Sequence, residues 1–215
     1  MTRLRILMAD DHSLVLAGLR QLVEAEGEVV GTVEDGRALV EEAQKLRPDI
    51  ILLDISMPLL NGLDAARHLT KLVPEAKLIF LTMHATPTYA TEAFKAGASG
   101  YLIKRSAASE IKQAIQAVTR GQHYLTPLIT KGVLAATLHH PVGQMCQRPV
   151  AMLTPRQREV LQLVAEGKST KAIASILHIS VKTVEFHKAR LMDTLDLHST
   201  ADLTKYAVAE GLIGL

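Results

Sequence analysis

The sequence predicts an α/β domain built on a five-stranded parallel sheet, followed by a small all-α domain. Three observations predict it. The first 120 residues alternate short apolar runs with segments of helical periodicity, five times over. Residues 152–215 carry helical patterns only. Between them, Pro141-Val142-Gly143-Gln144 and Arg148-Pro149 punctuate the chain. The length of 215 residues suits two small domains better than one.

The apolar runs are Leu4–Ala9, Glu28–Val33, Asp49–Ile55, Lys77–Met83 and Ser99–Lys104. Ile50-Ile51-Leu52-Leu53 is continuous rather than alternating, as a strand buried on both faces requires. The first helical segment places Leu16, Leu19, Leu22 and Val23 on one stripe; the others lie near 36–46, 61–72, 86–97 and 107–120. Repeated β-α units pair in parallel with right-handed crossovers. Such a sheet carries its ligand site at the carboxyl ends of its strands. Gly121 ends the pattern, giving a first domain over 1–120. Residues 121–151 read as a partly helical linker, with a helix over 126–140 presenting Leu128, Ile129, Val133, Ala136 and Leu138. His139, His140 and Cys146 match no familiar metal-ligand spacing and read as solvated linker residues. In the second domain, 152–215, Thr154 suits an N-cap, Pro155 the first helical position and Gln157 the far end of a capping box. Helices follow near 155–166, 170–177, 181–195 and 200–210, the last two capped by Ser180 and Ser199.

Composition narrows the function classes. Apolar residues make up 48% and aromatics 3%, with no Trp, so the cores are aliphatic. Residues 1–120 carry 14 Lys and Arg against 15 Asp and Glu, and residues 121–215 carry 10 against 7. That asymmetry is too mild to imply nucleic acid by itself. A single cysteine excludes an intrachain disulfide and suits a reducing compartment. Asp10 and Asp11 stop the N-terminal apolar stretch too early for a signal peptide, and no run approaches the ~20 apolar residues of a membrane span. The expectation is a soluble cytoplasmic protein with no membrane partner.

The chemistry lies at strand ends. Asp10 and Asp11 end the first strand and Asp54 the third. Three converging carboxylates repel one another unless a hard cation such as Mg²⁺ compensates them. Thr82 ends the fourth strand with a hydroxyl, and Lys104 ends the fifth with a mobile charge suited to a phosphoryl oxygen. A nucleophilic Asp surrounded by a cation, a hydroxyl and a Lys makes an aspartyl-phosphate site.

Asp10-Asp11, Asp54 with Met57-Pro58-Leu59-Leu60-Asn61-Gly62, Thr82, and Tyr101-Leu102-Ile103-Lys104 together resemble a response-regulator receiver over about residues 3–120. The resemblance implies a flavodoxin-like fold and phosphorylation of Asp54 by a histidine kinase. It further implies Mg²⁺ ligation by Asp11, Asp54 and the Ser56 backbone carbonyl, with Asp10 acting mainly through water. Thr82 and Lys104 then bind the phosphoryl oxygens, and Tyr101 is the switch that turns inward on activation. Arg105 stands where the family often has Pro, which removes the reason for a local cis bond. A Mg²⁺-dependent phosphatase with an Asp nucleophile is the rival class. It generally needs a second Asp two residues on, where this chain has Ser56. The expectation is therefore no enzyme beyond the receiver's own phosphorylation and dephosphorylation.

Residues 169–195 read as helix, short turn, helix, with Ile173, Ala174, Ile176, Leu177, Ile179 and Val184 as a small core. On the second helix Val184 and Leu191 share one face; Lys182, Glu185, Phe186 and Ala189 lie opposite, a base-facing set. Thr183, Lys188 and Arg190 flank it as phosphate contacts. A charged helical surface without nucleic acid is the plainer reading of the same pattern. The strings Leu153-Thr154-Pro155-Arg156-Gln157-Arg158-Glu159-Val160-Leu161, Gly167 and Lys182-Thr183-Val184-Glu185-Phe186-His187 are similar to the LuxR-type output domain of NarL/FixJ regulators, over about 152–213. That similarity implies binding to double-stranded DNA, transcription regulation, and a homodimer when phosphorylated. His187 is either a phosphate contact or a packing residue, and Val208 and Leu212 either a dimer contact or core. The alternative for the whole chain is a regulator that binds DNA without phosphorylation, its receiver degenerate; the intact Asp, Thr and Lys set speaks against it.

Overall fold

The computed structural model describes residues 3–139 and 153–213. They form two compact units, the first comprising residues 3–57 and 61–139 and the second residues 58–60 and 153–213. His140, Cys146 and the Pro141–Pro149 stretch lie outside the described residues.

The first unit is a parallel sheet in the order β2-β1-β3-β4-β5-β6. Its strands are β1 (Arg5–Ala9), β2 (Glu28–Val33), β3 (Ile50–Leu53), β4 (Lys77–Thr82), β5 (Ala98–Ile103) and β6 (Tyr124–Leu125). Between them run α1 (Ser13–Val23), α2 (Gly36–Leu46), α3 (Gly62–Leu72), α4 (Pro87–Lys95) and α5 (Ala107–Thr119); α6 (Pro127–His139) follows β6. Side chains alternate across each strand. Ile6, Met8, Ile50, Leu52, Ile79, Leu81 and Leu102 pack against Leu16, Leu19 and Val23 of α1 and Ile111, Ile115 and Val118 of α5. Leu22, expected on that buried stripe, is 37% exposed, because it lies at the stripe's edge beyond the reach of the sheet.

The five strands expected are found, and a sixth joins them. β6 pairs in parallel with β5, Gly100 opposite Tyr124 and Tyr101 opposite Leu125. The first part of the expected linker is therefore sheet. Helix α6 packs on α4, and Gly132 permits the contact: a Cβ there would stand 2.7 Å from Pro87 Cγ. Ile129 is buried, but Leu128 is 68% exposed, so only part of the expected apolar stripe faces the unit.

The second unit holds α7 (Pro155–Ala165), α8 (Thr170–Ile176), α9 (Val181–Leu195) and α10 (Thr200–Ala209). The Thr154–Gln157 capping box is present, and Ser169, Ser180 and Ser199 each cap the helix that follows. Val160, Leu161, Leu163, Ile173, Val184, Leu191, Leu203 and Leu212 make the core. Leu212 thus packs within the unit, while Val208 is half-buried. Among the described residues, no helix is long and apolar enough to cross a membrane.

Candidate functional site

Strands β1, β3, β4 and β5 lie side by side and parallel, so their carboxyl ends meet at one edge. Asp10 follows β1, Asp54 follows β3, Thr82 closes β4 and Lys104 follows β5. Asp10, Asp54 and Thr82 are buried, and Asp11 is exposed. The Lys104 Nζ reaches between two carboxylates, 2.6 Å from Asp54 Oδ2 and 2.7 Å from Asp10 Oδ2. Asp54 Oδ1 accepts from the Ile55 N–H at 2.6 Å. Burial pushes the Asp10 carboxyl above its ordinary value despite the hydrogen bond and charge of Lys104. Burial also disfavours the Lys104 ammonium, but the Asp54 charge and the hydrogen bonds to Asp10 and Asp54 outweigh it and raise its pKa.

One ammonium thus faces Asp10 and Asp54, with Asp11 beside them. Asp10, Asp11 and His12 offer ligand atoms within 4.8 Å of one another. A set dominated by carboxylate oxygens and short of positive charge fits a hard divalent cation.

Ser56 and His84, each two residues beyond a strand-end residue, meet across the loops: Ser56 Oγ lies 3.0 Å from His84 Nε2. The His84 ring stacks on Tyr89 with centroids 4.2 Å apart. Its backbone N–H donates to Thr82 Oγ1 at 3.3 Å, and its carbonyl accepts from the Tyr101 hydroxyl at 2.8 Å. Burial lowers the His84 pKa; the Asp54 charge opposes this and the Lys104 charge adds to it. Tyr101 is fully buried; burial and the Asp54 charge raise its phenol pKa, leaving a neutral donor.

In the second unit, α8 and α9 are joined through His178, at φ 51°, in the left-handed position that glycine usually supplies. Arg156 on α7 donates through Nη2 to the Leu177 carbonyl at 2.7 Å and so holds the turn. Val184 and Leu191 are buried, and Lys182, Glu185, Phe186, Ala189 and Arg190 are exposed on the other side of α9, Phe186 by 57%. Thr183 and Lys188 are half-buried flanking residues. Thr183 Oγ1 lies 2.8 Å from Ser180 Oγ, and Lys188 Nζ donates to Thr200 Oγ1 at 2.8 Å. The Arg190 guanidinium carbon is 5.7 Å from the Phe186 ring centroid. His187 is half-buried with its ring edge-on to Phe186.

Residues 6–116 match the response regulator receiver domain, and residues 151–207 match the bacterial regulatory proteins of the luxR family. The chain belongs to the NarL/FixJ-type response regulators. It is 32% identical to the transcriptional regulatory protein DegU of Brevibacillus brevis, covering 98% of this chain and 95% of that one. It is 34% identical to the transcriptional regulatory protein MctR of Rhizobium johnstonii, covering 98% and 96%. Among solved structures, the Salmonella typhimurium RcsB response regulator matches with a TM-score of 0.65 and 27% identity, covering 97% of this chain and 98% of that one. A structure of two RcsB dimers bound to two parallel DNAs matches at 0.59 and 26%, covering 97% and 99%.

In this response regulator the fold brings Asp10, Asp11, Asp54, Thr82 and Lys104 to the same sheet edge, as their strand-end positions predict. The Ser56–His84 hydrogen bond and the Tyr89 stack were not foreseen. The matching offsets from Asp54 and Thr82 hint at the first; nothing local marks Tyr89.

Proposed function

We propose that this regulator accepts a phosphoryl group on Asp54 from a sensor histidine kinase and then regulates transcription by binding double-stranded DNA through α9. The observation that carries the reading is the Lys104 ammonium held between Asp10 and Asp54 at the sheet edge. One Asp54 carboxylate oxygen attacks phosphorus, the phosphorus–nitrogen bond to the kinase histidine breaks, and the imidazole leaves with its electron pair and takes up a proton. Lys104 then transfers its hydrogen bond from the Asp54 carboxylate to a phosphoryl oxygen, and the Thr82 hydroxyl donates to another. Asp11, Asp54 and the Ser56 carbonyl would hold Mg²⁺, with Asp10 acting through water. When bound, the cation supplies the positive charge that lets a phosphoryl dianion approach three carboxylates. Tyr101, bonded to the His84 carbonyl, registers the change through the loop after β4. A regulator of this class works where the chromosome is, in the cytoplasm.

Phosphorylation is expected to pair the chains, as RcsB dimers are paired on DNA in the solved structure. Light scattering with a small phosphodonor and Mg²⁺ should show the mass of two chains, and without the donor that of one. The same mass under both conditions, across concentrations, would remove phosphorylation from the control of assembly.

Ser56 and His84, two residues beyond Asp54 and Thr82 and hydrogen-bonded to each other, are neither an acid nor an amide suited to orienting an attacking water, so the phosphoryl group should be long-lived. Ser56→Asn breaks that hydrogen bond and offers an amide to orient water, so the phosphoryl lifetime should shorten severalfold. An unchanged lifetime would show that the pair does not control hydrolysis.

On α9, Lys182 is suited to donate to guanine O6 or N7, Glu185 to accept from cytosine N4, and Phe186 to cover a thymine methyl, with Ala189 leaving room beside it. Lys188, Arg190 and Thr183 are assigned to phosphates. Lys188→Ala should weaken binding to all DNA alike and lower the salt slope by about 1. Phe186→Ala should cost discrimination of ~1 kcal/mol at one base pair with the salt slope unchanged. Binding to single-base variants at two salt concentrations separates the two. An equal loss on every variant for Phe186→Ala would mean that the helix is rotated from this placement.

A further inference from the structure

The segment after α5 is joined to β5, the strand that Lys104 follows. The Thr126 N–H donates to the Tyr101 carbonyl at 3.0 Å, the last backbone bond from β5 to this segment. The next bond of a parallel ladder would run from the Ile103 N–H to the Thr126 carbonyl. That carbonyl is taken by the first turn of α6, where it accepts from the Ile129 N–H and from Thr130 Oγ1. The Thr126 hydroxyl stands in for it, accepting from the Ile103 N–H at 3.2 Å and donating to Glu110 Oε2 at 2.9 Å. Tyr124 donates to the same carboxylate oxygen at 3.2 Å. At the residue's other backbone group, the Ile103 carbonyl, which belongs to the peptide leading into Lys104, accepts from Ser106 Oγ at 3.1 Å. Thr126 is 0% exposed, so water cannot replace its hydroxyl.

We propose that Thr126 is a positioning residue for phosphoryl transfer: its hydroxyl fixes the Ile103 peptide so that the next residue, Lys104, reaches between Asp10 and Asp54. This rests on the assignment of Asp54 as the acceptor. A side chain here must accept from Ile103 and donate to Glu110 in a buried space, which Thr and Ser can do and Val cannot. Thr126→Val keeps the volume and leaves the Ile103 N–H and the Glu110 carboxylate without this partner. The end of β5 then loosens and Lys104 loses its fixed reach.

The experiment is the labelling rate of the full-length chain with acetyl phosphate and Mg²⁺, followed by intact mass. Thr126→Val should slow labelling about tenfold, and Thr126→Ser should restore it. In a Lys104→Ala background Thr126→Val should cause no further slowing, because the effect passes through Lys104. The same tenfold loss in that background, or no loss in the wild type, would overturn the proposal. Amide exchange of the unsubstituted protein gives a second reading that needs no variant to fold. The Ile103 N–H should be protected like its neighbour Leu102, and exchange at the rate of an open loop would overturn the proposal. Absence of labelling in the wild type would instead remove the acceptor assignment, which the exchange result does not test.

Discussion

Asp54→Asn is expected to take up no phosphoryl group at all. The amide keeps the size of the carboxylate, and its one oxygen can accept from either Lys104 or the Ile55 N–H, which bond different oxygens of Asp54, so the fold should persist. What is lost is the anionic oxygen that attacks phosphorus. Intact-mass measurement after a small phosphodonor and Mg²⁺ should show one phosphoryl group on the wild type and none on the variant. Chelating Mg²⁺ should slow the wild-type reaction greatly, because three carboxylates at one sheet edge then face the incoming dianion with one ammonium to offset them. The variant should also lose any gain in DNA affinity that the phosphodonor gives the wild type. Labelling of Asp54→Asn at the wild-type rate would place the nucleophile elsewhere and remove the central assignment.

Gly62→Ala should carry the largest cost in stability. A Cβ at Gly62 would lie 1.9 Å from the Asp54 carbonyl oxygen and 3.0 Å from the Ile55 Cα, both backbone atoms. Neither strand end nor helix can shift cheaply, because the Gly62 N–H donates to the Ile55 carbonyl at 2.8 Å and Asn61 caps α3. The clash must be relieved by moving the loop that carries Asp54. We expect a loss of ~3 kcal/mol or more, at the upper end of overpacking effects. Thermal unfolding of the first unit should fall by roughly 10 °C, and the labelling rate should fall with it. A melting temperature unchanged within about 2 °C would mean that the loop can move where the packing says it cannot.

Much of this was legible in the residues themselves. Ile50-Ile51-Leu52-Leu53 read as a strand covered on both sides, and all four are buried in β3. Thr154 with Gln157, Ser180 and Ser199 marked helix starts correctly, because a cap is a local hydrogen bond between residues three apart. Val184 and Leu191 identified the buried face of α9, and so its opposite, since both lie on one helix. The sixth strand escaped because Tyr124-Leu125 is too short to show a period, and only pairing with β5 makes it a strand.

The sequence by itself determined the order of strands and helices, the carboxylates at strand ends and the exposed face of α9. Each follows from local periodicity, capping or position at the end of an apolar run, which a reader of neighbouring residues can see. Tertiary structure alone decided that Lys104 bonds Asp54 across 50 residues of chain and that Ser56 meets His84 across 28. It alone decided that Thr126 completes the ladder of β5. Those contacts depend on the lateral order of parallel strands and on the rotamers chosen in a close-packed interior. No residue's nearest sequence neighbours carry that information.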